Sequence, residues 1–299
     1  MYDIIIVGAG PAGLTAAIYA RRALKNVLVL EAKSYGGQII NTLDIENYPV
    51  EAHISGFDFA TKLYNQAKDL GVEVKFEKVV DITNDKEVIT NDNTYKAKAI
   101  ILATGSDNRK LGIEDEDSLI GKGISFCATC DGAFYKGKDV AVVGGGNTAL
   151  EDALYLSNLA NKVYLIHRRD EFRGEEKSVN LLKEKDNVEF VFNSNVTKLI
   201  KDDVLKAIEV TNKDGSIKTI DVNGLFIAIG RIPENQNFAK LINLNEAGYI
   251  IAGEDCTTNI PGIFVAGDNR TKEVRQLVTA TSDGAIAATN AIKYIDNGE

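Results

Sequence analysis

Short apolar runs, each followed by glycine, recur along the chain and predict buried strands of a parallel sheet. Ile4 to Val7 precedes Gly8-Ala-Gly10-Pro-Ala-Gly13, and Leu14 to Ala23 then continues as a helical stretch. Val27 to Leu30 follows as the next strand and ends at Glu31. Strands that alternate with helices indicate a βαβ unit. The first thirty residues therefore predict a complete dinucleotide-binding unit rather than an isolated glycine motif.

The same pattern begins again near the middle of the chain. A strand at Val140 to Val143 leads into Gly144-Gly-Gly146-Asn-Thr-Ala149 and a helix over Leu150 to Leu159. Val163 to Ile166 is the second strand of this unit. The two units repeat one architecture, and each needs its own sheet with helices on the faces. The predicted fold class is α/β with two Rossmann-like nucleotide-binding domains.

Three further apolar runs also end at glycine. They are Ala99 to Leu102 before Ala103-Thr-Gly105, Leu225 to Ile229 before Gly230, and Ile263 to Ala266 before Gly267-Asp268. A glycine at a strand end lets a ligand approach the backbone closely. The last of these strands is expected to return the chain to the first domain, which makes that domain discontinuous.

Composition narrows the class of protein. The chain has 299 residues, of which 44% are hydrophobic and 26% charged, enough for about two domains with proper cores. A net charge of −9 argues against nucleic acid or an anionic membrane as a partner. Three cysteines cannot form a secreted disulfide framework, no apolar run has membrane length, and a strand begins at once without a signal peptide. We expect a cytoplasmic protein.

The ends of the second strands distinguish the two nucleotide sites. In each fingerprint the pyrophosphate would lie at a helix N-terminus, where free N–H groups attract it. Glu31 suits the ribose of an adenosine, as in FAD, and would repel a 2'-phosphate. The corresponding position of the second unit carries His167, Arg168, Arg169 and, shortly after, Arg173. Arginines bind a 2'-phosphate through charge-assisted hydrogen bonds, so the second site is predicted to prefer NADPH.

A Cys-x-x-Cys pair lies between the two fingerprints, as Cys127-Ala-Thr-Cys130-Asp131. The motif alone fits half of a zinc site, a redox pair, or two buried cysteines. Zinc needs about four ligands, and the chain offers no second cysteine pair or nearby histidine. Cysteines three residues apart on a helical turn are close enough for a disulfide. Cys256 is left over and is expected to be a buried small residue.

These motifs together resemble the low-molecular-weight thioredoxin reductases, flavoprotein disulfide reductases of the pyridine nucleotide class. The resemblance spans nearly the whole chain, and its most specific part is Cys127-Ala-Thr-Cys130-Asp131 directly ahead of the second fingerprint. It implies a homodimer with an NADPH-binding domain at 111–236, inserted into a discontinuous FAD-binding domain at 1–110 and 237–299. The residues that fingerprint and resemblance assign to FAD are Gly8, Gly10, Pro11, Ala12, Gly13, Glu31, Ala32, Lys33, Ser34, Gly36, Gly37, Gln38, Asn47, Thr104, Gly105, Gly267, Asp268, Arg275, Gln276 and Leu277. Those assigned to NADPH are Gly144, Gly146, Asn147, Thr148, Ala149, His167, Arg168, Arg169, Arg173 and Gly230.

The resemblance also implies a mechanism. NADPH reduces FAD, FAD reduces the disulfide of Cys127 and Cys130, and the dithiol reduces thioredoxin. Cys130 would face the flavin, Cys127 would attack thioredoxin, and Asp131 would be the general acid, although it could instead cap a helix. Nicotinamide and disulfide must both reach one flavin, so the domain that carries them is expected to rotate about linkers near 107–112 and 233–237.

Two alternatives stay open on sequence alone. One is an enzyme of the same fold that takes electrons from another donor, such as reduced ferredoxin, and the other is a non-enzymatic protein that binds flavin or zinc. The chain also departs from the family pattern at Val50-Glu-Ala-His53 and at Asn269-Arg-Thr. His53 lies in a polar loop, where a surface position is expected rather than a catalytic one.

Overall fold

The computed structural model describes residues 1–42, 44–51 and 53–298, so Ala52 of the departing stretch 50–53 lies outside the described residues. Three 3-10 helices occupy Gly37–Asn41, Gly132–Tyr135 and Gln236–Phe238. The strands and α-helices in chain order are β1 (Tyr2–Val7), α1 (Pro11–Arg22), β2 (Val27–Leu30), α2 (Gly56–Asp69), β3 (Glu73–Lys75), β4 (Val79–Ile82), β5 (Glu87–Thr90), β6 (Thr94–Leu102), β7 (Ser106–Asn108), α3 (Glu116–Leu119), β8 (Ile124–Ser125), α4 (Ala128–Asp131), β9 (Asp139–Gly144), α5 (Asn147–Ser157), β10 (Lys162–Ile166), α6 (Glu176–Lys183), β11 (Val188–Val191), β12 (Ser194–Lys201), β13 (Leu205–Asn212), β14 (Ile217–Asp221), β15 (Gly224–Ala228), β16 (Arg231–Pro233), β17 (Ile263–Val265) and α7 (Leu277–Asn297).

The chain divides into two compact units. The first comprises 1–107 and 232–299, and the second comprises 108–231. Both crossings lie a few residues before the domain boundaries expected from sequence, at 110/111 and 236/237, and the first falls within the expected linker near 107–112. The short strands at the crossings, β7 and β16, form a two-stranded sheet of their own.

The first unit contains a seven-stranded sheet of order β3-β2-β1-β6-β5-β4, in which β17 also pairs with β6. Strands β3, β2, β1, β6 and β17 run parallel, whereas β4 and β5 are antiparallel additions. The register of β17, with Ile263 opposite Ile100, confirms that this late segment returns to the first sheet. The carboxyl ends of β1, β6 and β17 therefore lie side by side.

Small residues bring two helices of this unit close together. α1 is rich in alanine, and its buried face packs against α7 in one apolar cluster. A Cβ added at Gly284 of α7 would lie 2.2 Å from the carbonyl oxygen of Ala12, so only glycine permits this approach. The contact fixes the start of α7 near the first fingerprint.

The second unit contains a five-stranded parallel sheet of order β11-β10-β9-β15-β8 and a separate antiparallel sheet of β12, β13 and β14. Both faces of the parallel sheet are covered, because Val140 and Val142 belong to one apolar cluster while Ala141 and Val143 belong to another. This explains why the strands have continuous apolar sequences. Among the described residues no helix is long and apolar enough to cross a membrane.

Candidate active site

The first fingerprint forms a tight turn between β1 and α1. Gly8 has φ +109°, and a Cβ there would lie 2.3 Å from the carbonyl oxygen of Ala103. A Cβ on Gly13 would lie 2.0 Å from the carbonyl oxygen of Gly8, whereas a Cβ on Gly10 would meet only the Cα of Gly37, at 4.0 Å. α1 begins at Pro11, and its N-cap, Gly10, makes no side-chain cap, so the N–H groups of Ala12 and Gly13 point out of the helix end.

Glu31, at the end of β2, bridges two backbone segments. Its carboxylate accepts hydrogen bonds from the N–H groups of Ala9 at 2.8 Å and Lys33 at 2.9 Å. Each oxygen retains a lone pair for a further donor. The carboxylate is thus held beside the fingerprint, where the hydroxyl groups of a ribose could donate to it.

The segment from 32 to 38 lies next to the first fingerprint. Ala32, Lys33 and Ser34 are exposed, and the N–H of Gly36 donates to the carbonyl of Ala9 at 2.8 Å. Gly36 and Gly37 both have positive φ, and Gly37 approaches Gly10 closely. The amide of Gln38 donates to Asp107 at 2.5 Å.

Two further loops of the first unit join this edge. The hydroxyl of Thr104 donates to the Oδ1 of Asn235 at 3.1 Å, and Gly105 has φ +70° with open space beside it. After β17, Gly267 has φ +91° and Asp268 is partly buried. The strand-end glycines predicted from sequence thus occupy conformations that favour glycine.

The start of α7 carries the last residues assigned to FAD. Gln276 caps this helix in a reciprocal arrangement with Thr279, and it accepts a hydrogen bond from the Asn47 amide at 3.2 Å. The guanidinium carbon of Arg275 lies 4.3 Å from the ring centre of Tyr249. The Nε atom of Arg275 is buried and has no protein partner. A buried donor of this kind usually meets an acceptor supplied by solvent or a ligand.

A buried ionic cluster, which the sequence analysis did not find, supports the loop after β17. Asp283 of α7 accepts two hydrogen bonds from Arg270, both 2.8 Å long, and one from Lys272 at 2.9 Å. It also accepts the N–H of Gly267 at 2.9 Å. Burial alone would raise the pKa of Asp283, but Arg270 and Lys272 outweigh it and hold that pKa below its usual range. We call Arg270, Lys272 and Asp283 the Asp283 cluster.

The second fingerprint repeats the first, except that Ala149 takes the place that Gly13 has in the first. α5 begins at Asn147, and its N-cap Gly146 makes no side-chain cap and has nothing within 4 Å of a Cβ position. A Cβ on Gly144 would lie 2.6 Å from the Cβ of Ala149, which explains the small residue there. The Oδ1 atom of Asn147 accepts the N–H of Glu175 at 2.8 Å, which ties the arginine-containing loop to the helix start. Thr148 is exposed.

That loop follows β10 and folds back on the fingerprint. Arg168, Arg169 and Arg173 are exposed, and the N–H of Arg173 donates to the carbonyl of Gly145 at 2.7 Å. His167 is instead buried, and a Cβ added at Gly145 would lie 2.1 Å from its ring. Burial, with Arg173 and the other arginines, lowers the pKa of His167. The three arginines therefore supply the accessible positive charge, and His167 packs beneath the turn. Gly230 is exposed, with φ +103°.

The cysteine pair lies at the start of the four-residue helix α4. Cys127 and Cys130 form a disulfide with their Cα atoms 5.3 Å apart. Cys127 is the N-cap residue of α4, and Asp131 ends it without capping through its side chain. Asp131 instead accepts a hydrogen bond of 2.6 Å from Ser125, a buried residue that the sequence analysis missed. Burial raises the pKa of Asp131, and the Ser125 hydrogen bond opposes that rise.

A second carboxylate of this unit was also missed. Asp152 of α5 accepts a hydrogen bond from the backbone N–H of Ala128, the first residue of α4. Burial raises its pKa to about 7, and the charge of Glu151 adds to the rise. Tyr135 has its pKa raised to about 12 by burial and by Asp131.

The remaining candidate groups have simpler surroundings. Cys256 is free and fully buried, as expected. His53 is exposed, and its hydrogen bond to Asp44 raises its pKa. Among the described residues, Asp44, Glu46 and His53 are the one group of three or more His, Cys, Asp or Glu side chains placed to share a metal ion. This group does not include the cysteine pair.

Comparison with known proteins agrees with this geometry. The family model described as pyridine nucleotide-disulphide oxidoreductase matches residues 2–284. A thioredoxin reductase of Listeria monocytogenes is 43% identical, over 99% of this chain and 94% of its own. The crystal structure of thioredoxin reductase from Streptococcus pyogenes superposes with a TM-score of 0.94 at 40% identity and covers 99% of both chains. The Giardia duodenalis thioredoxin reductase has a TM-score of 0.92 at 34% identity, also over 99% of both chains. The chain therefore belongs to the pyridine nucleotide-disulphide oxidoreductase family, in the branch of the thioredoxin reductases.

Proposed function

We propose that the chain is an FAD-dependent thioredoxin-disulfide reductase that uses NADPH. The observation that carries the proposal is the disulfide between Cys127 and Cys130, with the half-buried acid Asp131 directly after it. The unit that contains this disulfide also contains a nucleotide fingerprint and an exposed arginine loop. A redox disulfide and a pyridine nucleotide site in one unit support electron transfer rather than a structural zinc site.

The first unit has the features that FAD requires. The open helix end at Gly10 suits a pyrophosphate, and the Glu31 carboxylate has lone pairs left for a ribose. The buried Nε of Arg275 supplies a hydrogen-bond donor without a protein acceptor. We assign FAD to this unit, with Asn47, Gln276 and Leu277 on the flavin side and Asp268 on the ribityl or phosphate side.

The second unit has the features that NADPH requires. Gly146 leaves space above the start of α5, so a pyrophosphate could lie against its backbone. Arg168, Arg169 and Arg173 are exposed at the end of β10, where the 2'-phosphate of the adenosine would lie. Three exposed arginines favour NADPH over NADH because NADH lacks this phosphate.

The chain's own residues then perform thiol–disulfide exchange. FAD, when bound, takes hydride from NADPH and supplies the two electrons that open the disulfide. Opening of the disulfide at Cys130 leaves Cys127 as a thiolate, which is the nucleophile. Asp131 holds the proton that the leaving sulfur of thioredoxin takes up in the next step. Cys127 attacks the disulfide of thioredoxin, and Cys130 then attacks the resulting mixed disulfide. Thioredoxin leaves as a dithiol, and Cys127 and Cys130 are again oxidised, so two electrons are transferred in each cycle.

The two tasks of the second unit require movement, because the nicotinamide and the disulfide need the same flavin ring. We infer a rotation about the crossings at 107/108 and 231/232. An engineered crosslink between the units should abolish turnover with thioredoxin while one half-reaction keeps its rate. Unchanged turnover in the crosslinked protein would refute the rotation. We also infer a homodimer, to be measured by light scattering, and a cytoplasmic location.

A coupled assay tests the proposed function. Cys127→Ser and Cys130→Ser should each abolish reduction of thioredoxin, while NADPH still bleaches the flavin at the wild-type rate. Cys256→Ala is the matched control, because this cysteine is free and buried, and it should retain turnover. If either of the first two variants reduces thioredoxin at the wild-type rate, the dithiol assignment is wrong.

Stopped-flow mixing under anaerobic conditions separates NADPH from another donor. Rapid bleaching of the flavin by NADPH is the expected result. Bleaching by reduced ferredoxin but not by NADPH would favour the alternative donor.

A further inference from the structure

Ser125 connects the acid of the dithiol site to the backbone of the nucleophile. Its hydroxyl oxygen lies 2.6 Å from the Oδ2 of Asp131 and accepts the N–H of Cys127 at 3.1 Å. The residue ends β8, the edge strand of the second sheet, and is 4% exposed. A buried strand therefore fixes the position of the hydroxyl, rather than the short helix α4.

The single proton of this hydroxyl has two possible acceptors. The Asp131 carboxylate lies at 2.6 Å, and the carbonyl oxygen of Cys127 lies at 3.4 Å. A charge-assisted hydrogen bond to a carboxylate is the stronger of the two, so the proton points at Asp131. The lone pairs of the same oxygen face the N–H of Cys127. One hydroxyl thus orients both ends of the redox motif.

We propose that Ser125 is a positioning residue that sets the acid strength of Asp131 in dithiol chemistry. The proposal rests on the proposed function, in which Asp131 protonates the leaving sulfur. When Asp131 gives up its proton, the hydroxyl of Ser125 stabilises the carboxylate that forms. Without that hydroxyl, Asp131 holds its proton to higher pH and donates it more slowly, since a weaker acid is a slower proton donor.

The surroundings give the carboxylate little other support. The 3-10 helix after α4 contributes Tyr135, which is neutral at working pH. α5, which packs against α4, contributes Asp152, Glu151 and Tyr155, which are acidic or neutral. Arg231 acts on Asp152. Within the described part of the chain, burial raises the pKa of Asp131 and the hydrogen bond from Ser125 lowers it.

A matched pair of variants tests the hydroxyl itself. Threonine and valine have the same shape, but only threonine carries a hydroxyl, and both suit a strand position. Turnover of the FAD-loaded enzyme with NADPH and thioredoxin is measured from pH 5 to pH 10 for Ser125→Thr and Ser125→Val. For Ser125→Val we expect a turnover rate about tenfold lower and a fall in rate at high pH that begins about one pH unit higher than in the wild type. A tenfold change is about what a hydrogen bond to a charged group contributes. Threonine should restore the wild-type profile.

A second measurement does not depend on thioredoxin. The holoenzyme is reduced with dithiothreitol, and the rate at which iodoacetamide alkylates Cys127 and Cys130 is followed against pH. Ser125→Val should shift the pH midpoint that Asp131 contributes to the alkylation rate, and Ser125→Thr should leave that midpoint unchanged. In an Asp131→Asn background the two variants should have the same profile. Wild-type enzyme that fails to reduce thioredoxin refutes the proposed function but leaves this measurement valid.

Two outcomes would overturn the role of Ser125. In the first, Ser125→Val lowers the turnover rate at every pH but leaves the pH at which the rate falls and the pH midpoint of alkylation unchanged. That result would mean that Ser125 has only a structural role. In the second, threonine shifts both as far as valine does, which would show that the added methyl group rather than the hydroxyl is responsible.

Discussion

Replacement of Asp283 by asparagine should strongly destabilise the first unit and weaken its hold on FAD. The side chains of Asp283, Lys272 and Arg270 are 4%, 5% and 1% exposed. Asparagine keeps the size and one acceptor oxygen, so it can still accept the N–H of Gly267. It removes the negative charge, however, so Lys272 loses its ion pair with Asp283, and the buried guanidinium of Arg270 retains a 3.4 Å ion pair with the exposed Glu254.

The expected magnitude follows from this geometry. Breaking a buried ion pair by removing one partner costs about 3 to 5 kcal/mol, because the remaining charge stays desolvated. For a unit of this size, each kcal/mol lowers Tm by roughly 2 to 4 °C, so we expect Asp283→Asn to lower Tm by about 10 °C. Because bound FAD stabilises the folded state, unfolding is followed at fixed excess FAD, and release of flavin fluorescence is recorded in the same scan.

A second aspartate of α7 provides the control. Asp296 pairs with Lys25 on the surface, and its side chain is 56% exposed. Asp296→Asn is the same substitution on the same helix, and a surface ion pair contributes only about 0 to 1 kcal/mol. If the two variants lose the same Tm, the argument that the Asp283 cluster is a buried charge network is refuted. The triple variant Arg270→Met, Lys272→Met, Asp283→Asn should recover most of the loss because no charge remains buried.

The pH dependence has a definite sign. The pKa of Asp283 lies below its usual range in the folded protein, so its contribution to stability is present above the unfolded pKa. That contribution is lost as pH falls through the lowered folded pKa. Wild-type protein should therefore lose stability in acid more steeply than Asp283→Asn, which has no carboxylate to protonate.

Three further predictions concern the second unit and the free cysteine. Burial raises the pKa of Asp152 to about 7, so the stability of the wild-type protein falls as pH rises from about 4 to 7. In urea unfolding, Asp152→Asn should equal the wild type near pH 4 and be about 1 to 3 kcal/mol more stable at pH 8. This range is smaller than the full pKa shift would give, because solvent screens a partly exposed carboxylate. Replacing Arg168 and Arg169 together by alanine should raise KM for NADPH about 10- to 100-fold and leave KM for NADH nearly unchanged in steady-state assays. Cys256, whose pKa burial raises to about 12, should react with iodoacetamide only after denaturation, as counted by mass spectrometry.

Apolar patterning predicted the parallel strands well, and it missed elements whose signal is not apolar. The second strand at Val27–Leu30 has the predicted bounds, whereas α1 begins at Pro11 and not at Leu14. The helix starts earlier because the last residues of the glycine fingerprint already belong to its first turn. The antiparallel sheet of β12, β13 and β14 was not predicted. Its strands alternate buried and exposed positions with many charges, a weaker pattern than a fully buried run.

The polar residues that support the site could not be predicted because their partners are distant or unremarkable in sequence. Arg270 and Asp283 are 13 residues apart, and each is a charged residue of a type that is usually found at the surface. One signal existed, since Asn269-Arg-Thr follows Gly267-Asp268, at a place where an apolar residue is frequent in the family that the chain resembles. A charged residue at an apolar position needs a buried partner, and Asp283, on the alanine-rich face of α7, is the candidate.

Carboxylates that accept hydrogen bonds from backbone N–H groups hold several loops of this protein. These hydrogen bonds explain how loops outside helices and strands keep a fixed conformation. Glu31 accepts two such bonds beside the first fingerprint, and Glu116 accepts two from Leu111 and Gly112 just after the first crossing. Asp283 accepts one from Gly267, and Asp131 is linked to the backbone of Cys127 through Ser125. A carboxylate offers about four lone-pair sites, so it can join two backbone segments and still accept a donor from a ligand. An apolar side chain could fill the same space but could not satisfy the N–H groups that a tight turn leaves unpaired. Loops that must stay open to a nucleotide or a protein disulfide cannot bury an apolar core of their own, and these hydrogen-bonded carboxylates give them order without closing the site.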